Sequence, residues 1–109
     1  MANICENKFI FSNEGNDEEY KRIKHKLIEA IGWENGCNFD GEISYEDDDF
    51  IEGYFDSRWV FPDEFFLSII PEDIEGIYFR CLSEEYGCGY VAMNVYRNGG
   101  WMTEQTFDF

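Results

Sequence analysis

The chain has 109 residues, of which 24 are acidic and 8 are basic, and its formal net charge at pH 7 is −16. Nucleic acids and anionic membranes repel a charge of this sign, so we expect neither of them as a direct partner. Hydrophobic residues make up 44% of the chain and aromatic residues 19%. This composition argues against disorder and predicts a single folded domain over residues 1–109.

The sequence predicts a cytoplasmic protein with reduced thiols and no cofactor. It contains no apolar run of about 18 residues that could span a membrane. Residues 1–12 include charged side chains where a secretion signal would be apolar. The four cysteines form no CxxC pair and His25 is the only histidine, so no zinc or iron–sulfur site is predicted.

The first part of the chain predicts a strand followed by a helix. Phe9 and Phe11 alternate with other residues, as on one face of a strand. Asn16 followed three residues later by Glu19 has the spacing of a helix capping box. The apolar stripe of this helix ends before Gly32, which we expect to be a left-handed cap.

The middle of the chain predicts two strands and a second helix. A short strand over residues 42–46 leads into a tight acidic turn at 47–49. Residues 50–61 alternate between large apolar and mostly charged side chains, the period of a half-buried strand. Pro62 ends this strand because it has no N–H to donate, and apolar residues at helical spacing follow in 63–70.

The last third of the chain predicts antiparallel strands joined by turns. Residues 77–82 and 90–97 alternate like strands, and the glycine-containing segment 83–89 connects them as a hairpin. The Asn-Gly-Gly sequence at 98–100 is a strong turn signal. We expect residues 101–109 to pair back as an edge strand.

The order of these elements predicts an α+β fold, in which an antiparallel sheet has two helices packed on one face. The nearest standard topology is the ferredoxin-like βαββαβ arrangement. We expect the core to contain twelve of the apolar residues: Phe9, Phe11, Ile23, Leu27, Ile31, Phe55, Trp59, Phe65, Ile69, Phe79, Val91 and Met93.

Three segments resemble one protein family. Residues 1–7 (MANICEN), 54–59 (YFDSRW) and 84–89 (EEYGCG) are similar, in this order, to the signatures of the YubB-type ferredoxin-like domain proteins. The resemblance implies a ferredoxin-like fold and an origin on plasmids, phages or related mobile elements. It implies no catalytic residues, because the family is defined by its fold.

The acidic residues are concentrated in the middle of the chain. Sixteen of them lie between Glu34 and Glu85, where Arg58 and Arg80 are the only basic residues, so sixteen acids against two arginines leave a local charge of −14. We define the acidic ridge as the densest part of this segment: Glu46, Asp47, Asp48, Asp49, Glu52 and Asp56.

Three interpretations of the acidic ridge are open. It is a face that keeps the protein soluble, or it is a calcium loop, or it imitates the phosphates of a nucleic acid. The calcium loop fits poorly, since Ile51 occupies a ligand position and Gly53 comes one position late. Carboxylates at alternate strand positions are about 6.6–7 Å apart, close to the spacing of phosphates, which favours mimicry.

The family resemblance strengthens the mimicry interpretation, because mobile elements need inhibitors of host nucleases that hold DNA or RNA in basic channels. We therefore expect a non-enzymatic protein that binds and inhibits a basic nucleic-acid-binding host defence protein, of the anti-CRISPR or anti-restriction kind. The acidic ridge would make the contacts. No enzyme is predicted, since the chain has no nucleophile–histidine pair with an evident orienting group and no nucleotide-binding glycine motif.

An alternative function is also open, in which the protein is an interaction module that forms a homodimer or binds an apolar partner. Exposed aromatic side chains would make these contacts: Tyr54, Tyr78, Tyr90, Tyr96 and Trp101. Apolar contacts of this kind depend little on salt, whereas binding through the acidic ridge depends on it steeply.

Overall fold

A computed structural model describes residues 3–87 and 89–107 of the chain. Its elements in chain order are β1 (Ile4–Asn13), α1 (Asp17–Ala30), β2 (Gly41–Glu46), β3 (Phe50–Arg58), α2 (Asp63–Ile69), β4 (Ile77–Glu85), β5 (Tyr90–Arg97) and β6 (Gly100–Phe107). The fold is α+β, as the sequence predicts. Neither of the helices within these residues is long and apolar enough to cross a membrane.

The six strands form one antiparallel sheet in the order β2-β3-β1-β4-β5-β6. β1 lies inside the sheet between β3 and β4, while β2 and β6 are the two edges. Asn98 and Gly99 turn β5 back into β6, and their φ angles of 52° and 78° are those of a tight hairpin turn. The predicted turn at 98–100 is therefore confirmed.

Both helices pack on the same face of the sheet. Tyr20 of α1 stacks on Phe11 of β1, with 5.3 Å between the ring centroids. Phe66 of α2 contacts Phe55 of β3 and Phe79 of β4 at 5.6 and 5.0 Å. The high aromatic content of the sequence is thus used largely in the core. Within the described residues no helix covers the other side of the sheet, which we define as the open face.

The start of α1 agrees with the sequence, and its end does not. The Asn16 side chain accepts a hydrogen bond from the Glu19 N–H at 3.2 Å, as the capping sequence predicts. The prediction of a left-handed cap at Gly32 is wrong, because this glycine does not have a positive φ. Ile31 instead leaves the helix in an extended conformation and pairs with Phe39. This path keeps the Ile31 side chain buried in the core.

Trp59 is not a core residue, contrary to the alternation of its strand. β3 ends at Arg58, and Trp59 takes a φ of 68°. A left-handed residue at this point interrupts the inward–outward alternation. Trp59 is consequently 46% exposed, and the next inward side chain is Phe61.

β5 presents to the helices the face opposite to the predicted one. Val91 is 44% exposed and Met93 is half-buried, both on the open face, whereas Asn94 and Tyr96 are buried. Tyr96 can be buried because its hydroxyl donates a hydrogen bond to the Pro71 carbonyl at 2.8 Å. The other predicted core residues do pack in the core, with Phe65 only partly buried: Phe9, Phe11, Ile23, Leu27, Ile31, Phe55, Phe65, Ile69 and Phe79.

Candidate functional site

Four of the six residues of the acidic ridge lie in and beside the turn that joins β2 to β3. Glu46, Asp48 and Asp49 are exposed there, and Asp47 is half-buried. The Asp47 N–H donates to the Phe50 carbonyl at 3.0 Å, which closes the turn. Three carboxylates therefore project into solvent from one short, hydrogen-bonded segment.

Asp47 fixes the conformation of this turn. Its Oδ1 accepts hydrogen bonds from the N–H groups of Asp49 and Phe50 at 2.7 and 2.9 Å. Its Oδ2 accepts a hydrogen bond from the Tyr45 hydroxyl at 2.6 Å. The hydrogen bond from Tyr45, followed by those from the backbone, lowers the pKa of Asp47 because each of them favours the charged carboxylate. Asp47 is a structural residue of the acidic ridge.

The turn is also attached to α1. The Tyr20 hydroxyl and the Lys24 ammonium both donate to the Asp47 carbonyl oxygen, at 2.9 and 3.0 Å. Burial and the nearby carboxylates, with Asp47 the strongest of them, raise the pKa of Tyr20 to about 12, so its hydroxyl remains a donor at neutral pH. The exposed carboxylates of the turn are thus held in a fixed position relative to the helix.

The remaining two residues of the acidic ridge, Glu52 and Asp56, lie on the open face of β3. Asp56 lies seven residue steps of about 3.3 Å each from Asp49, a distance of about 23 Å along the strand. The structure therefore arranges the acidic ridge as a line along one margin of the sheet. It does not bring the six carboxylates together into one cluster.

A second group of carboxylates crosses the sheet at Asp56, and we define it as the acidic row. The strand register places Asp56 opposite Glu6 of β1, and Glu6 opposite Glu84 of β4. Asp40 is the fourth member, because its carbonyl oxygen accepts a hydrogen bond from the Asp56 N–H at 2.8 Å. Side chains directly opposite on neighbouring strands have Cβ atoms about 4.5–5.5 Å apart, so these charges repel one another.

Glu6 and Glu84 were not among the predicted site residues. Alternation in the sequence places Glu6 on the face opposite to Phe9 and Phe11. This pattern could have placed Glu6 on the open face. Only the register of β1 with β3 and β4 shows that Glu6 lies between two other carboxylates.

No basic side chain within the described residues forms an ion pair with the acidic row. Burial, followed by the charges of Glu6 and Asp40, raises the pKa of Asp56. In residues 3–87 and 89–107 an ion pair joins Arg22 to Glu19 and His25 contacts Glu29, and neither contact includes a member of the acidic row. The row therefore opposes folding.

Removing one charge from the acidic row should stabilise the protein. We expect Asp56→Asn to raise the free energy of unfolding at pH 7 by about 0.2–1 kcal/mol, the scale of one cross-strand pair. Because the pKa of Asp56 is higher in the folded state, the folded protein binds this proton more tightly than the unfolded chain does. Repulsion at Asp56 is thus relieved as the pH falls through that raised pKa.

Urea unfolding of the Asp56→Asn variant and the parent at pH 7 and at about pH 3.5 checks this expectation. The variant should have the higher midpoint at pH 7, and the difference should shrink at the lower pH. A variant that is less stable than the parent at pH 7 would contradict repulsion within the acidic row.

The aromatic residues of the alternative function do not form one exposed surface. Tyr54 is 40% exposed and Tyr78 is half-buried on the open face, but Tyr90 and Tyr96 are buried, and Trp101 packs against the core. The open face instead carries exposed or half-buried aliphatic side chains: Ile10, Leu82, Val91, Met93, Val95 and Met102.

Groups that could support metal or thiol chemistry are not assembled in the described part of the chain. No cluster of three or more metal-binding side chains occurs within it. Cys5, Cys37 and Cys81 are free thiols, and burial raises the pKa of Cys5 to about 11 and that of Cys81 to about 12. The thiols of Cys5 and Cys81 therefore carry almost no thiolate at neutral pH. Cys88 lies outside the described residues, and His25 is exposed on α1.

The fold and the surface together define an α+β protein with an open sheet face, bordered by carboxylates along one margin and crossed by them at one end. A comparison with protein-family models finds no family that matches the chain, and comparisons with curated proteins and with solved structures find no match either. The resemblance to the YubB-type family therefore stays a prediction.

Proposed function

We propose that this protein binds and inhibits a basic nucleic-acid-binding host defence protein by occupying the site where that protein holds DNA or RNA. One observation carries the proposal: residues 40–58, which include β2 and β3 at one margin of the sheet, contain eight acidic residues and a single basic one, Arg58. On this proposal the protein acts in the host cytoplasm and needs no catalytic residue or cofactor.

The position and rigidity of the carboxylates support the proposal. Glu52 and Asp56 lie four residues apart on the open face of β3, about 13 Å, with Tyr54 between them. The hydrogen bonds that Asp47 receives from Tyr20 and Lys24 hold the exposed turn in place before a partner arrives. Preorganisation of this kind reduces the entropy lost on binding.

We further infer that the elements from β1 to β4 form a ferredoxin-like unit of phage or plasmid origin, extended at β4 by the β5–β6 hairpin. The element order β1-α1-β2-β3-α2-β4 matches the βαββαβ arrangement and supports this assignment. The family resemblance of residues 1–7, 54–59 and 84–89 supports the same assignment.

Neutralising the exposed part of the acidic ridge should weaken partner binding strongly. We expect Glu46→Gln, Asp48→Asn and Asp49→Asn together to lower affinity at least about tenfold, because truncating one member of a desolvated charge pair costs about 2–5 kcal/mol. Asp47 is left unchanged, since it fixes the turn. The melting temperature should be retained or raised, because exposed charges contribute little to folding.

A matched control removes three exposed carboxylates elsewhere, by Glu18→Gln, Glu34→Gln and Glu64→Gln. The parent, the variant and the control are immobilised and incubated with host lysate at about 0.05 and 0.5 M salt. The distance over which charges interact differs severalfold between these two salt concentrations. Parent and control should retain the same proteins at low salt, and duplex DNA or RNA should release them. The retained partner is then purified, and its binding to the variant and to the parent is compared at physiological salt. Equal binding by the acidic ridge variant and the parent would refute the proposal. Salt-insensitive retention would favour binding through the aliphatic open face.

A further inference from the structure

A groove between α2 and β6 is lined by aromatic rings and two carboxylates. Phe61 and Phe66 are buried and stack with 4.9 Å between their centroids. Trp101, which is only partly buried and lies 6.2 Å from Phe61, is therefore the ring that a ligand can contact. Asp63 and Glu72 belong to the same lining, and none of the described residues that line the groove is basic. The groove encloses about 220 Å³, less than the range of about 300–1,000 Å³ typical of pockets for whole small ligands.

The aromatic wall of this groove is held in place before any ligand binds. The Trp101 indole N–H donates a hydrogen bond to the Ile70 carbonyl at 2.9 Å. The indole also packs edge-on against Phe79 and Tyr96, at 5.5 and 5.3 Å between centroids. These contacts leave the ring little freedom to rotate, so a ligand would lose little affinity to rearrangement.

The two carboxylates give the groove a negative charge, and among the described residues neither of them belongs to an ion pair. Partial burial raises the pKa of Asp63, as expected for a carboxylate beside apolar rings. The Glu72 Oε2 lies beside Gly100 at the start of β6, only 3.5 Å from where a Cβ on that glycine would be. A cation placed between aromatic rings and carboxylates is attracted by both.

We propose that this groove binds the side chain of an arginine, supplied by the basic protein of the proposed function, on which this inference rests. A planar guanidinium stacks on aromatic faces and pairs with carboxylates through two parallel N–H donors, whereas a lysine ammonium is a compact and strongly hydrated charge. The aliphatic stem of the arginine would cover Leu67, which lines the groove and is 51% exposed.

Free arginine derivatives test the groove without any partner protein. N-acetyl-L-arginine amide is titrated into ¹⁵N-labelled protein, and N-acetyl-L-citrulline amide, which has nearly the same shape without the charge, is the matched ligand. We expect the arginine derivative to shift the Trp101 indole resonance and the groove amides, and to bind at least about tenfold more tightly than citrulline, a difference of about 1.4 kcal/mol. Equal binding of the two, shifts located elsewhere, or no shifts would overturn the proposal. Equal or tighter binding of N-acetyl-L-lysine amide would overturn the preference for arginine.

Two variants with the same change in net charge locate the binding. Asp63→Asn with Glu72→Gln should weaken arginine binding at least tenfold, and Asp48→Asn with Asp49→Asn should leave it within twofold. An unchanged Trp101 indole resonance in the unliganded groove variant shows that the aromatic wall is intact. If the groove variant binds arginine like the parent, the groove is not the site.

The same variants separate this inference from the proposed function. If arginine binds the groove but the acidic ridge variant retains host proteins like the parent, the proposed function fails and the arginine site stands. If the acidic ridge variant loses its partner while arginine does not bind the groove, only the groove inference fails.

Discussion

Replacing Phe66 by alanine should lower the free energy of unfolding by about 3–5 kcal/mol, the cost of removing a buried phenylalanine side chain. Phe66 is completely buried. Its ring centroid lies between 4.9 and 6.4 Å from the centroids of five other rings: Phe55, Phe61, Phe65, Phe79 and Trp101. These rings come from strands, from α2 and from the loop before it, so they cannot collapse together into the space that Phe66 leaves.

Trp59 is the matched control for Phe66. Strand alternation predicts a core position for Trp59, whereas the structure places Phe66 in the core and Trp59 at the surface. Trp59 is 46% exposed, so we expect Trp59→Ala to change the free energy of unfolding by less than about 1 kcal/mol. Trp59→Gly should be tolerated at least as well, since the φ of 68° costs about 1–2 kcal/mol for a residue with a side chain. Urea midpoints of the three variants measure these differences. Equal losses for Phe66→Ala and Trp59→Ala would contradict the exposed position of Trp59.

Periodicity in the sequence predicted both helices and the strands β1, β3, β4 and β5, and the inward faces of three of these strands. Phe9 and Phe11 on β1, Phe55 on β3 and Phe79 on β4 face the helices as alternation requires. On β5 hydrophobicity alone favoured the wrong face, because Tyr96 is buried through a hydrogen bond to Pro71, 25 residues away. No local pattern contains such a partner.

The sequence likewise predicted only part of the candidate site. The density of acids in the sequence located the acidic ridge, but it could not distinguish Asp47, which is hydrogen-bonded within the turn, from its exposed neighbours. Glu6 and Glu84 are far apart in the chain and meet only through the register of β1 with β4. Both failures concern contacts that form only after the chain has folded.

Asn7 is a buried polar residue that connects three strands of the sheet. It is fully buried, and its Nδ2 donates to the Ser57 hydroxyl at 2.9 Å and to the Phe55 carbonyl at 3.1 Å, both on β3. Its Oδ1 accepts a hydrogen bond from the Ser83 hydroxyl on β4 at 2.6 Å. One side chain therefore links β1 to both of its neighbours.

Asn7→Ala should destabilise the protein by about 2–4 kcal/mol, because each buried polar group left without a partner costs about 1–3 kcal/mol. Asn7→Asp should destabilise it more at pH 7, since a carboxylate there is buried and faces the Phe55 carbonyl oxygen where the Nδ2 donor had been. Both effects raise the pKa of the new carboxyl group above its value in the unfolded chain. The loss should therefore diminish as the pH falls through that raised pKa, whereas the loss for Asn7→Ala should depend little on pH. Urea unfolding of both variants between pH 4 and pH 7 distinguishes the two, and parallel pH profiles would show that position 7 is not enclosed by this hydrogen-bond network.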